Sequence, residues 1–307
     1  MAAGEQRGAR RRRPAGPPGE PRRVGYLYLL PALVVHALFL LFPLARGAWI
    51  SLFDWDGLTL GRWVGWENYR ALVADAGLRA AFGHVAVLLV FFSVLPIAVG
   101  LVLATALHRT RVRGLAFFRT ALFLPQVVAM VVVGVAWRNI YAPNGSLNRA
   151  LRSVGLDSWA TSWLGDADTA LVAVGFVGTW VQTGLAVVLF LGGIGRIPHE
   201  SFEAARLDGA GVVWEFRAVV LPALRAEIGI AATLTTIAAL RTFDLVYVMT
   251  PLGGPGRSTT VPAYEIYHRA FHSGQVGSAA ALGVALTALT FLITMGIARI
   301  TREERAR

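Results

Sequence analysis

Six apolar stretches of membrane length, parted by short polar segments, make up most of this 307-residue chain. A bilayer core about 30 Å thick needs roughly 20 apolar helical residues. Four stretches reach that length without one Asp, Glu or Arg: 25–45, 81–107, 169–195 and 274–298. A fifth, 120–137, is slightly short but within the usual range, and a sixth, 228–252, is interrupted by Arg241 and Asp244. The pattern predicts an all-α, polytopic membrane protein with six transmembrane helices. Pro31, Pro43, Pro96 and Pro125 fall inside or at the ends of these spans, where membrane helices tolerate proline better than soluble ones do.

Arginine placement sets the expected orientation. With the N-terminus in the cytoplasm, 19 basic residues fall in inner segments, nine in outer segments, and Arg241 lies within a span. This predicts cytoplasmic termini, a cytoplasmic loop around Glu203, and outward-facing segments 51–80, 141–168 and 253–273. Residues 1–24 are rich in Arg, Pro and Gly and lack apolar periodicity. They are expected to be a disordered basic tail, drawn to anionic lipid headgroups, with the transmembrane domain spanning 25–307. No aromatic residue is interleaved among the arginines of that tail, which disfavours nucleic acid as a partner. The arginines at 10–13 lead into Pro14-Ala15-Gly16 rather than an apolar run, which disfavours an export signal.

Composition narrows the chemistry. Hydrophobic residues are 55% and charged residues 15% of the chain, against about 25% charged in soluble domains. Cysteine is absent, which removes disulfides, thiolate metal sites and cysteine catalysis. Lysine is absent too. A standard phosphate-binding loop needs its lysine, so any ATP hydrolysis belongs to another chain, and a lysine Schiff base is excluded. Neither a G-x-S-x-G elbow nor an H-E-x-x-H pair is present. The chain offers no candidate catalytic residues, so no enzyme activity is expected of it.

The polar segment between the fourth and fifth stretches carries a compact design. Pro198 suits a helix's first turn, and Glu200 and Glu203 place negative charge near that helix's positive end. Ala204 and Ala205 are small enough for a partner to approach the backbone. Gly209 can take the left-handed conformation that ends a helix, and a second short helix over 212–220 then runs to Pro222. Two short helices about a glycine bend make a knob; the alternative is an amphipathic connector lying on the lipid surface.

This segment resembles the signature loop of the membrane subunits of binding-protein-dependent ABC importers. The family pattern is Glu-Ala-Ala, three residues, Gly, nine residues, Ile, one residue, Leu-Pro. Here it is Glu203-Ala204-Ala205, Gly209, Val219 in place of the Ile, and Leu221-Pro222. Further matching segments are Val64-Gly65-Trp66-Glu67-Asn68-Tyr69, Gly114-Leu115-Ala116-Phe117-Phe118-Arg119-Thr120, Gly145-Ser146-Leu147-Asn148 and Trp163-Leu164-Gly165-Asp166. Thr250-Pro251-Leu252-Gly253-Gly254-Pro255-Gly256 is similar to a loop of the larger permeases of maltose and glycerol-3-phosphate importers. The likeness covers about residues 25–300; Ala226 departs from it, standing where many members have a second proline. The resemblance implies a type I importer permease of the bacterial cytoplasmic membrane, working by alternating access. Glu203, Ala204, Ala205, Asp208, Gly209, Phe216, Leu221 and Pro222 would form the ATPase-coupling loop. The implied partners are a second, non-identical permease, two cytoplasmic ATPase subunits carrying ATP and Mg, an extracytoplasmic solute-binding protein and a sugar substrate. No cofactor is expected in this chain.

Five residues are candidates for the substrate path. Arg241 and Asp244 are the acid–base pair of the fifth span; charges there face an interior or a partner, and at i,i+3 they could simply neutralise each other. Phe243 lies between them. Trp180 and Gln182 in the fourth span offer stacking and amide hydrogen bonds to a sugar, or else serve as interhelical packing. Arg241 leaves import of glycerol-3-phosphate or another polyol phosphate ester open. An ion-coupled secondary transporter would need buried carboxylates and repeats, for which Asp244 is the sole acidic candidate. Glu265, His268 and His272 share one helical face at i, i+3 and i+7, a spacing that suits metal ligands or a solvated face equally.

Overall fold

A computed structural model describes residues 22–109 and 114–303. Most of the basic tail, together with Arg111 and Arg113 and the last four residues, lies outside the described residues. The chain forms two compact units, the first ending at Trp49 and the second beginning at Ile50. The first apolar stretch lies in the first unit. That unit's helix, α1 (Tyr26–Ile50), is 25 residues long.

The second unit opens with a two-residue ribbon, β1 (Phe53–Asp54) against β2 (Arg62–Trp63). The helices that follow are α2 (Glu67–Ala74), α3 (Ala76–Arg109), α4 (Leu115–Val127), α5 (Met130–Ile140) and α6 (Ser146–Ser153). Then come α7 (Ala167–Ile194), α8 (His199–Leu207), α9 (Val212–Ala223) and α10 (Arg225–Leu240). The chain closes with α11 (Asp244–Met249), α12 (Pro262–Phe271) and α13 (Val276–Glu303). Among the described residues four helices are long and apolar enough to cross a membrane, or up to six spans if each of two bent pairs is one span.

Two expected spans differ from the pattern. The stretch 120–137 is not one helix: Val128 and Ala129 take extended backbone, so α4 and α5 meet at 97°. The stretch 228–252 ends its first helix at Leu240, and α11 starts afresh at Asp244. At its other end α10 bends by 72° from α9. Proline explains the local windings elsewhere. A proline lacks the N–H and clashes with the carbonyl four residues back, and a π-turn relieves this by widening the preceding turn. The three π-turns among the described residues, Ala37–Leu41, Val90–Val94 and Phe216–Val220, each end two residues before Pro43, Pro96 or Pro222.

α7 is the hub of the second unit. Sixteen of its 28 residues are buried, which suits a central position better than lipid exposure. A side chain at Gly178 would overlap the Phe92 ring, and one at Gly184 would overlap the Leu122 carbonyl, so these two glycines set how closely α3 and α4 approach. Two buried clusters lie along α7. One joins Val85, Leu88 and Phe92 of α3 to Val174, Val177 and Val181 of α7 and to Leu240, Leu245 and Met249. The other joins Leu101 and Ala104 to Phe190, Ile194, Phe202, Val220 and Leu224. Hydroxyl groups add polar fastening between helices: Thr235 donates to Ser93 at 2.8 Å, and Thr179 to the Phe91 carbonyl at 2.6 Å.

Candidate functional site

The second cluster supports the 198–222 segment. Pro198 stands just before α8 with extended backbone (φ −57°, ψ 138°). Phe202 points down into the cluster, its ring 6.0 Å from that of His108. With Phe202 inward, the neighbouring Glu203 and Ala204 face outward and are exposed. Asp208 caps the helix, and Gly209 takes φ +78°. The Gly209 N–H donates to the Arg206 carbonyl at 3.0 Å and the Ala210 N–H to the Ala205 carbonyl at 2.9 Å. This pair of bonds is a Schellman closure, which satisfies carbonyls that the helix end would leave open. Phe216 packs part-buried on the cluster, while Leu221 and Pro222 are exposed.

Glu215 is the residue that sequence reasoning missed. It is only 2% exposed, and its carboxylate meets the Arg206 Nε at 3.1 Å and an Arg109 nitrogen at 3.6 Å. A buried carboxylate needs such partners, since its desolvation is otherwise unopposed. The triad ties α9 to α8 and both to the end of α3. The exposed surface of the segment mixes charge, at Glu200, Glu203, Arg206 and Asp208, with large apolar side chains: Leu207 is 89% and Trp214 68% exposed, and Val212 and Val213 are exposed as well. The knob therefore has an interior fastened by ion pairs and an exposed face that carries large apolar side chains among charged ones. Behind it, Arg196 and Glu227 pair across a cleft lined also by Pro198, Ser201 and Val219.

A second site lies where α10 breaks. A cavity of about 310 Å³ is lined by Gln182, Arg241, Thr242, Phe243 and Asp244, with Phe92 and Met130. Gln182 is 2% exposed, yet its Oε1 has no hydrogen-bond partner. A buried amide oxygen left unpaired is costly and is a natural place for a ligand hydroxyl. Of the five residues named from sequence, four meet at this cavity. Trp180 does not: two helical positions from Gln182 is a turn of about 200°, and its indole packs edge-on against Trp137 at 5.5 Å. The helical i,i+3 pairing expected of Arg241 and Asp244 also fails. Helix α10 stops at Leu240, so the two do not share a helix, and among the described residues no ion pair joins them.

Far from the knob, Glu265 does not lie on a solvated face. It is buried, pairs with Arg257 and lies 3.6 Å from Arg269, which reaches Asp75 at 2.5 Å. Among the described residues no cluster suits a metal ion.

No protein-family model matches the chain. The chain is 34% identical over 314 residues to the diacetylchitobiose uptake system permease NgcF of Streptomyces coelicolor, covering 96% of this chain and 89% of that protein. It is 34% identical over 277 residues to the multiple sugar-binding transport system permease MsmF of Streptococcus mutans, covering 90% and 92%. In fold it is similar to a chain of a bacterial ABC transporter that imports the acidic polysaccharide alginate, with TM-score 0.75, 18% identity, and coverage of 92% and 96%. It also matches a chain of an alginate ABC transporter in complex with its alginate pentasaccharide-bound periplasmic protein, with TM-score 0.77 and 18% identity.

Proposed function

We infer that this chain, which belongs to the permease subunits of ABC sugar transporters, imports a saccharide through the Gln182 cavity under force delivered at the Glu203 knob. The carrying observation is the knob itself: a helix–glycine–helix unit locked by Glu215, with Leu207, Val212, Val213 and Trp214 outward. Apolar groups of this size at a water-facing loop mark a protein-binding surface. The occupant we assign is a cytoplasmic ATPase subunit, one of two, which bind the ATP and Mg that this lysine-free chain has no loop to hold. A second, non-identical permease would complete the translocation path, and an extracytoplasmic binding protein would deliver the sugar. The chain would lie in the bacterial cytoplasmic membrane with both termini inside.

In this scheme the ATPase moves α8 and α9. Because Phe202 and Glu215 fasten these helices to the cluster around Phe190 and Leu224, the motion passes to α7 and to α10 without the knob deforming. α10 carries it to Leu240, the edge of the cavity. Gln182 there offers its amide oxygen to a sugar hydroxyl, and Phe243 a ring face.

One feature favours a second substrate class. Arg241 lines the cavity, and among the described residues no carboxylate is paired to it, which suits an acidic saccharide or a polyol phosphate ester. Uptake by vesicles holding the full transporter separates these readings. Neutral oligosaccharides, acidic oligosaccharides and glycerol-3-phosphate are offered in turn, with and without internal ATP. ATP-dependent uptake of a neutral saccharide supports the main reading, uptake of the anions alone supports the second, and ATP-independent uptake contradicts both.

A further inference from the structure

Phe243 belongs to the cavity, but it is also the first ring of a longer series. Its ring stacks on Tyr247 of α11 with centroids 5.2 Å apart and planes at 27°, and lies 5.4 Å from Tyr267 of α12. Tyr247 and Tyr267 meet edge to face at 5.4 Å, and Tyr267 leans on Phe271 at 5.3 Å. The series thus runs unbroken from the cavity wall to the last residue of α12, at the end of the molecule away from the knob.

Two ordinary explanations fit poorly. Core packing would bury the rings, as it buries Tyr264, whose ring flanks Phe243 within the main cluster. Instead Tyr247 is exposed and Phe271 is 75% exposed. Contact with lipid tails would exclude charge from the same surface, yet α11 begins with Asp244, Arg241 stands three residues earlier, and His272 touches Tyr267. What remains is a strip of ring faces with hydroxyls along it and an unpaired buried amide oxygen at its end. Aromatic side chains with a polar tip suit ligands that are apolar on one side and hydrogen-bonding at the rim. The C–H face and equatorial hydroxyls of a pyranose have that character.

We propose that Phe243, Tyr247, Tyr267 and Phe271 form a stacking path that guides the rings of a saccharide into the Gln182 cavity. This rests on the saccharide reading above. Each ring offers a partial foothold, so a chain of sugar units can advance by one ring while holding the next.

The test uses the whole transporter in vesicles, with a panel of radiolabelled neutral di- to tetrasaccharides that includes diacetylchitobiose. Uptake, ATP hydrolysis and co-purification of the partner chains are measured for Tyr247→Leu, Tyr267→Leu and the matching Phe variants. Loss of one stacking ring predicts about a two- to tenfold fall in saccharide moved per ATP hydrolysed. The Leu variants should show it, the Phe variants should retain most of the wild-type ratio, and assembly should be unchanged in all. Wild-type ratios in the Leu variants overturn the path, as does an equal fall in the Phe variants. Loss of a partner permease from the Leu variants also overturns it, assigning the rings to that interface. A wild-type assembly that imports no saccharide of the panel contradicts the saccharide reading itself, and the path with it.

Discussion

Gly209 holds φ at +78°, and a Cβ built there meets no atom within 4 Å. Backbone conformation alone therefore selects glycine, since the left-handed region costs another residue about 1–2 kcal/mol. Gly209→Val should reach the membrane normally yet lose most vesicle uptake, while Gly209→Asn, which tolerates that region, should keep more than half. Equal uptake by the two would show that the bend is not needed. This position was legible from residue type alone. Glu215 was not, because an acid in Val-Val-Trp-Glu-Phe reads locally as a solvated position; its burial depends on Arg206 across the bend and on Arg109 from a distant helix. Removing both arginines should leave its charge unpaired at a cost of roughly 3–5 kcal/mol. Adding Glu215→Gln to that double variant should recover much of the loss in thermal stability of the detergent-solubilised chain. Arg241 is a contrasting case. With no ion pair to Asp244, Arg241→Ala alone should assemble as well as the double change Arg241→Ala with Asp244→Ala. If the single variant assembles poorly and the double variant recovers, the two residues form a pair after all.

At the scale of elements, apolar run length placed α1, α3, α7 and α13 well, because a helix that must satisfy its own backbone in lipid has few alternatives. The broken spans were less legible. Nothing in 120–137 marks Val128 and Ala129 as extended; Pro125 lies upstream of the break, and we find no local cause for it. In 228–252, Arg241 and Asp244 were visible as an interruption, but their type did not show that the helix ends between them. Pro43, Pro96 and Pro222 marked places where a π-turn could form, but proline alone did not predict one: Pro31 and Pro125 lie inside helices with no π-turn before them. The arginine count makes an element-level prediction that the structure sharpens by identifying exposed positions. In this cysteine-free chain, single cysteines replacing Leu207 and Leu252 should label oppositely in intact cells. An impermeant thiol reagent should modify position 252 and spare 207; the reverse pattern would invert the topology.

At the scale of the whole molecule, the knob and the cavity occupy separate places on one packed unit, connected by α7 and α10. Phe202 is the anchor of that connection. Its replacement by Ala should cost about 3–5 kcal/mol and loosen α8 from the cluster around Phe190 and Leu224. In the proposed mechanism force enters at the exposed Glu203 surface and saccharide moves in response. The most direct measurement is ATP-driven saccharide uptake by the reconstituted transporter carrying Glu203→Lys, normalised to permease content. Glu203 is exposed and supports no core contact, so this variant should fold and insert like the wild type. It should import little or no saccharide, with the ATPase either released or hydrolysing ATP without transport. Uptake at the wild-type rate would show that transport does not depend on force delivered at this surface.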